Sequence, residues 1–470
     1  MNFKRISYFL GLSCFPISIL AFINILYSSY FDYFLSINSY LITLIISFVI
    51  GLLLVFFSKK AEKKINFIEQ LVLIILIYLL ASFFIALPFY LSNYQVTFLN
   101  SFFESISGVT GTGFSTFENI KYLDPTLILW RSSSQWIGGL YFLFFLILIF
   151  SNKQFNFKMN ELTYSGDGGV NSENNIKDFL LKIFIFYSFL TLVIFLGLNI
   201  SGVRMYNSLN LSMSLISTGG FLPTNSLNSI IQTNAQKIVI IFSLLISLLN
   251  FFIILNIFEI KRIKKNHKED LYIMIISLIF ILLIYFNNYS ALDIIIGVLS
   301  SLANSGLSVL NSDNNLSLYF ILIVVIGGSL ISNTSGIKFA RIYILLKTAS
   351  SEIIKLISPN SIVNKNIFSS DKKITDENVK ISFLIFISFF ISLFILSGIL
   401  ILDKVDFEES FKLSILAITN TTNSPMFGIE NTDFTNLLTS SKLSLIIFMI
   451  IGKIELISLF LIIKTIFFKD

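Results

Sequence analysis

Four short clusters of glycine with small hydroxyl or amide residues carry the chemistry this sequence can do. They are Thr110-Gly111-Thr112-Gly113, Ser217-Thr218-Gly219-Gly220, Ala303-Asn304-Ser305-Gly306 and Thr422-Asn423-Ser424. Each follows a half-length apolar run, as in SFFESISGV over 101–109. Such a run is too short to cross a bilayer, which takes about 20 helical residues. It reads instead as a re-entrant half-helix followed by extended backbone. Bare backbone at membrane depth is tolerated only where it lines a cavity or is buried in protein. A half-helix that starts outside and ends mid-membrane aims its partially negative C-terminus at the axis, which favours a cation. The carbonyls that follow can replace an ion's hydration shell. A single cluster of this kind is as readily a polar loop between helices. Four in matching places predict a cation pore with these residues as its ion-binding positions.

Two further features sit inside apolar spans. Lys453 lies in MIIGKIELIS, about eleven residues from either end of its expected helix and so near the bilayer centre at 1.5 Å per residue. A charge at that depth is costly and marks function. Glu455 follows two residues later and falls on a different helix face. The second feature is Gly327-Gly328, continuing through Ser332-Asn333-Thr334 to Gly336, which interrupts an apolar span with small polar residues. Backbone there is not committed to a helical ladder.

The elements that must position these residues are long helices. Windows apolar and long enough to span are 7–27, 40–57, 67–91, 127–150, 179–200, 238–260, 271–286, 316–345, 381–401 and 443–463. The half-length runs fall after the third, fifth, seventh and ninth. The expected fold is an all-α polytopic membrane protein. Two N-terminal helices (1–65) precede four pseudo-symmetric helix–pore-loop–helix repeats around a central cation pore. The repeats cover 66–160, 161–265, 266–355 and, with a cytoplasmic linker, 356–470. Ser101 with Glu104, Asn207 or Ser208, Ser290 with Asp293, and Asp406 with Glu409 are the expected half-helix caps.

Composition narrows the function. The chain is 55% hydrophobic and only 13% charged, about half the charged share of a soluble protein. Its one cysteine, Cys14, excludes an internal disulfide, and its one histidine, His267, lies in a basic run and reads as solvated. No zinc site, redox cofactor, nucleotide-binding motif or catalytic spacing is visible, so an enzyme is not expected. The net charge of +6 follows topology rather than nucleic acid. Basic residues at 59–64, 261–268, Lys338, Arg341, Lys347, Lys372 and Lys373 mark the cytoplasmic side, with both termini. Lys338 and Arg341 are expected at the cytoplasmic exit, where they could dock a partner or lipid head groups. Glu118, Asp124, Asp313, Asp403, Asp406, Glu408, Glu409 and Asp433 fall on the other face, where acids would concentrate cations.

The segments SGVTGTGFS (107–115), Leu129-Trp130-Arg131 with Gln135-Trp136-Ile137-Gly138-Gly139, STGGF (217–221) and GGS…TSGIKFAR (327–341) resemble the Trk/Ktr/HKT superfamily of potassium transporters. The likeness covers essentially the whole chain, and the two extra helices place it nearest the TrkH branch. The resemblance implies potassium uptake across the bacterial inner (plasma) membrane. It implies potassium as the transported ion, and a homodimer in membrane lipid with a pore in each subunit. It also implies gating by a cytoplasmic TrkA-like nucleotide-binding partner, and no nucleic acid. The family's filter glycines carry over to Gly113, Gly220 and Gly306. The fourth is expected at Ser424, before Pro425, where a positive φ would be strained. The 327–336 loop takes the place of the family's gate. Lys453 takes the place of an arginine barrier, keeping its charge without the planar fork. Ser424 and the asparagines of the last two clusters leave open a less selective sodium/potassium channel, or a cation symporter, of the same fold.

Overall fold

A computed structural model describes residues 3–33, 37–58, 65–151, 173–251, 268–286, 289–310, 314–361, 365–368, 373–429 and 432–454. His267, Asp313, Lys372, Glu455, the basic runs at 59–64 and 261–267, and both termini lie outside the described residues. Among those described, the elements are helices, with one antiparallel bridge between Asn366 and Lys373.

The first three helices are α1 (Phe3–Tyr30), α2 (Ile37–Phe57) and α3 (Phe67–Tyr90), followed by the half-length α4 (Phe98–Thr110) and then α5 (Pro125–Ser151). The order recurs as α6 (Glu173–Ile200), half-length α7 (Met205–Ile216) and α8 (Asn234–Leu248). Next come α9 (Glu269–Tyr285), half-length α10 (Ala291–Leu302), α11 (Asn314–Ile326) and α12 (Phe339–Ile357). The last are α13 (Asp376–Leu402), half-length α14 (Phe407–Ile418) and α15 (Thr439–Ile454). The half-length helices have 12 or 13 residues, about 18–20 Å against a hydrocarbon core of about 30 Å. Five described helices, α1, α2, α3, α6 and α13, are long and apolar enough to cross a membrane.

Two expected spans are not continuous. The window 238–260 is broken at Leu249 and Asn250, with Phe251 helical again and 252–260 outside the described residues, and 316–345 divides into α11 and α12 around a non-helical 327–338. The two breaks satisfy each other. The Ser329 amide donates to the Leu248 carbonyl at 3.2 Å, and the Phe251 amide donates to the Ile331 carbonyl at 2.9 Å. Unpaired backbone in an apolar interior costs too much to leave, so the breaks occur where they can pair.

The half-helix starts also differ from expectation in part. Thr97, not Ser101, caps α4 by accepting from the Asn100 amide, and Glu104 is drawn into an ion pair instead. Asn207 and Ser208 lie inside α7, and the Ser208 hydroxyl donates back to the Val203 and Arg204 carbonyls. Asp406 stands at the start of α14 without a capping bond from its side chain. Ser290 does cap α10, accepting from the Asp293 amide and donating to its carboxylate.

The half-helix ends sit against long helices at glycines. A Cβ at Gly138 on α5 would strike the Val109 backbone of α4, and one at Gly452 on α15 would strike the Ile418 backbone of α14. After α12, buried Phe368 packs back on that helix, stacking on Tyr343 at 4.5 Å and on Phe339 at 6.0 Å.

Candidate functional site

The four half-helices end in one repeated turn. A residue with left-handed backbone stands at or just past each end: Gly111 (φ 80), Thr218 (φ 56), Asn304 (φ 57) and Asn420 (φ 49). Amides just beyond bond back five residues, Gly219 to Ser214, Ser305 to Ser300 and Thr421 to Leu416, at 2.8–3.0 Å. Two residues past each left-handed residue come Gly113, Gly220, Gly306 and Thr422. A side-chain pair fixes the same register, with the Thr110 and Thr112 hydroxyls 2.8 Å apart and the Thr419 and Thr421 hydroxyls 3.0 Å apart. Thr422 therefore stands level with the three glycines, not Ser424. Ser424 is extended, at φ −148 and ψ 158, and leads into the turn Pro425–Phe427, so the strain expected of it does not arise. The spacing Thr110-x-Thr112, repeated as Thr419-x-Thr421, is the signal that could have set this register.

The glycine level is tightly closed. Thr422 Oγ1 donates to the Gly113 carbonyl at 2.8 Å. A Cβ at Gly113 would lie 2.6 Å from Thr422 Oγ1, one at Gly220 2.6 Å from Thr422 Cγ2, and one at Gly306 2.8 Å from Thr422 Cγ2. Asn423 lines the cavity above this level and donates to Thr432 Oγ1 at 3.2 Å. The remaining expected positions support the turns. The Ser217 hydroxyl bonds the Met213 carbonyl at 2.8 Å, Ser305 bonds the Ser300 carbonyl at 3.3 Å, and buried Ala303 ends α10. Thr218 carries a left-handed backbone that costs a side-chain-bearing residue about 1–2 kcal/mol. Asn304 and Asn420, of the type that tolerates this region best, bond across the bundle. Asn304 Nδ2 donates to the Val324 carbonyl at 2.9 Å, and Asn420 Nδ2 to Thr112 Oγ1 at 3.0 Å and the Met449 carbonyl at 2.7 Å.

A cavity of about 690 Å³ opens over this level, lined by Gly113, Gly220, Gly306 and Thr422 together with Glu118 and Asp433. Hydrogen bonds from Thr435 and Asn436 hold the Asp433 carboxyl below its ordinary range. Two other acids expected at the mouth are bonded elsewhere, Asp124 to Thr126 and Asp403 to Ser440 and Ser441. Behind the first turn lies a buried ion pair that sequence reading missed. Glu104 accepts from Arg131 Nε at 2.8 Å, the Thr116 amide at 2.7 Å and Ser115 Oγ at 3.2 Å. The Arg131 guanidinium also lies 4.1 Å over the Phe221 ring, tying the first turn to the second.

Away from the cavity, Lys453 meets the 327–336 loop. Its ammonium donates to the Asn333 carbonyl at 2.9 Å and stands 4.8 Å over the Phe142 ring. Thr218 Oγ1 donates to the same carbonyl at 3.2 Å, and Asn333 Nδ2 donates to the Ile216 carbonyl at the end of α7 at 2.9 Å. The loop turns at Gly327 (φ 68) and Gly336 (φ 78). Ser332 and Thr334 share a 2.7 Å hydroxyl contact, and the Gly328 amide donates to Thr334 Oγ1 at 3.2 Å.

Lys338 and Arg341 are not at an exposed exit. They are 1% and 2% exposed. Lys338 Nζ is folded into the loop, donating to the carbonyls of Ser329 (3.3 Å), Ser332 (3.2 Å) and Thr334. Arg341 donates to the Ile337 carbonyl at 3.2 Å. The burial removes both from docking a partner or lipid head groups. Glu269, at the start of α9, accepts from the Leu330 amide at 2.9 Å and Ser329 Oγ at 3.1 Å. Nothing in the sequence distinguished Glu269 from a solvated acid at a helix start.

The comparisons with known proteins agree in kind. The TrkH family, described as cation transport proteins, matches over residues 36–284. An uncharacterized cation transporter of Methanocaldococcus jannaschii is 26% identical over 88% of this chain and 86% of its own length. The Trk system potassium uptake proteins TrkG and TrkH of Escherichia coli K12 are 25% and 22% identical, covering 92% and 91% of this chain and 92% of their own lengths. The crystal structure of the potassium transporter TrkH from Vibrio parahaemolyticus matches with a TM-score of 0.88 over 100% of both chains at 18% identity.

Proposed function

This chain belongs to the TrkH family of cation transport proteins, and from that premise we propose that it takes potassium up across a bacterial inner membrane through the junction of its four half-helix ends. The observation that carries this reading is the meeting of Gly113, Gly220, Gly306 and Thr422 at one level beneath the cavity lined by Glu118 and Asp433. Cations gather at the acidic mouth. They lose water at the glycine level, where main-chain carbonyls and the negative ends of α4, α7, α10 and α14 replace it.

Lys453 and the 327–336 loop form the gate in this reading. An ammonium fixed on the Asn333 carbonyl repels a cation arriving from the glycine level and ties the loop beneath α7. Passage requires that tie to part. The chain works as a homodimer, with a pore in each subunit and both termini cytoplasmic. A TrkA-like nucleotide-binding partner biases the loop between its closed and open arrangements. The second reading, a less selective sodium/potassium pathway, is favoured by one observation, the threonine at the glycine level.

The test is growth and rubidium uptake by potassium-starved cells that lack their own uptake systems, expressing this chain with a cytoplasmic nucleotide-binding partner. Rescue is expected. An intact, membrane-inserted protein that gives no rubidium uptake would overturn the reading.

A further inference from the structure

We infer that Phe368 is a positioning residue of the gate: its ring clamps the start of α12 against α9, the two helices that hold the 327–336 loop, and so favours the closed arrangement. The inference rests on the reading of that loop as the gate and adds a restraint that the chain itself places on it.

The loop is held from two sides. α12 begins just after it, and the Phe339 amide donates to the Gly328 carbonyl at 3.1 Å. At the start of α9, Glu269 accepts from the Leu330 amide and Ser329 Oγ. About one turn further along each helix stands a tyrosine, Tyr343 on α12 and Tyr272 on α9, with ring centroids 5.4 Å apart. Residues three or four apart share a helix face, so each tyrosine reports the placement of the loop contact beside it. The buried ring of Phe368 completes the cluster, 4.5 Å from Tyr343, 6.0 Å from Phe339 and 5.8 Å from Tyr272. One side chain from beyond α12 thus packs on both helices that hold the loop.

The backbone that delivers this ring is an unfavourable one. Phe368 has φ 44, a left-handed conformation that bulky residues rarely adopt. Such a conformation persists where its surroundings over-determine it. Here the Ile374 amide donates to the Lys365 carbonyl at 2.8 Å, Asn366 bridges Lys373, and Lys365 pairs with Glu352 of α12 at 2.7 Å. Opening the loop requires Phe339 or the start of α9 to shift. Either shift parts ring faces that are packed on Phe368 and forfeits their contacts. A contact made in one arrangement and lost in the other biases the equilibrium toward the first.

The competing explanation is that Phe368 only fills space and stabilises the fold. Rubidium uptake into liposomes by the full-length chain alone, read beside its melting temperature, separates the two. Phe368→Ala and Phe368→Gly should raise partner-free flux several-fold over the parent, and Phe368→Tyr, which keeps the ring, should restore the parent's flux. Phe368→Gly suits the left-handed backbone and carries the comparison if Phe368→Ala does not insert. Phe84→Ala, a cavity at a buried ring of α3, should lower the melting temperature and leave flux at the parent's level. Ringless variants that melt lower but raise flux no more than Phe84→Ala overturn this inference alone, as does a Phe368→Tyr that conducts like Phe368→Ala. A parent that gives no rubidium uptake in potassium-starved cells with its partner overturns the uptake reading, and this inference with it.

Discussion

The ammonium of Lys453 rests 2.9 Å from the main-chain carbonyl of Asn333, which the Thr218 hydroxyl also approaches at 3.2 Å. One carbonyl of the interrupted span thus joins the last helix to the end of the second half-helix. A buried cation that bonds backbone rather than a carboxylate gives a tie that can break without leaving an unpaired anion behind. Bonds to charged groups are worth about 1.5–3 kcal/mol each, small enough for a binding partner to overcome.

Lys453→Gln removes the charge and retains a donor. Rubidium flux without any partner should rise several-fold in proteoliposomes, because both the repulsion and the tie weaken. Unchanged flux would place the barrier elsewhere.

Glu269→Ala strips the 327–336 loop of the acceptors for the Leu330 amide and the Ser329 hydroxyl. The expected loss is about 2–4 kcal/mol for one charge-assisted backbone bond and one hydroxyl bond, read as a lower melting temperature in detergent. Partner-independent flux should rise with it, and Glu269→Gln should fall between.

Arg131→Ala leaves the Glu104 carboxylate buried without its cation, with both side chains at most 1% exposed in the intact pair. Removing one partner of a buried pair costs about 3–5 kcal/mol. Arg131→Met combined with Glu104→Gln should cost less than the two single changes added, and thermal melts of the cycle check it.

Asp433 supplies a pH prediction. Hydrogen bonds from Thr435 and Asn436 depress its carboxyl, so the negative charge persists below the ordinary value of about 3.9 and is lost only as pH falls through the lower folded value. Asp433→Asn should raise the KM for rubidium at low ionic strength, with the effect fading in high salt. From neutral pH down to about 5, that difference should not vary.

What could be read from sequence was local. The half-length helices, the glycines at 113, 220 and 306, the interruption at 327–336 and the Ser290 cap all declare themselves within a few residues. What could not be read depended on partners distant along the chain. Ser101 and Glu104 have the spacing of a capping box, but Glu104 pairs with Arg131, 27 residues on. Lys338 looks like a boundary lysine until its loop is folded around it. The helix break after Leu248 is met from across the chain, the Ser329 amide donating to the Leu248 carbonyl and the Ile331 carbonyl accepting from the Phe251 amide. The fourth turn was misplaced by two residues because Pro425 is a louder signal than Thr419-x-Thr421.

The most direct test of the central claim is where a heavy monovalent cation binds. Anomalous scattering from thallium soaked into crystals of the flux-competent protein should give a peak enclosed by Gly113, Gly220, Gly306 and Thr422, abolished by excess potassium. Thallium flux through a protein whose only peaks lie outside that ring would contradict the account.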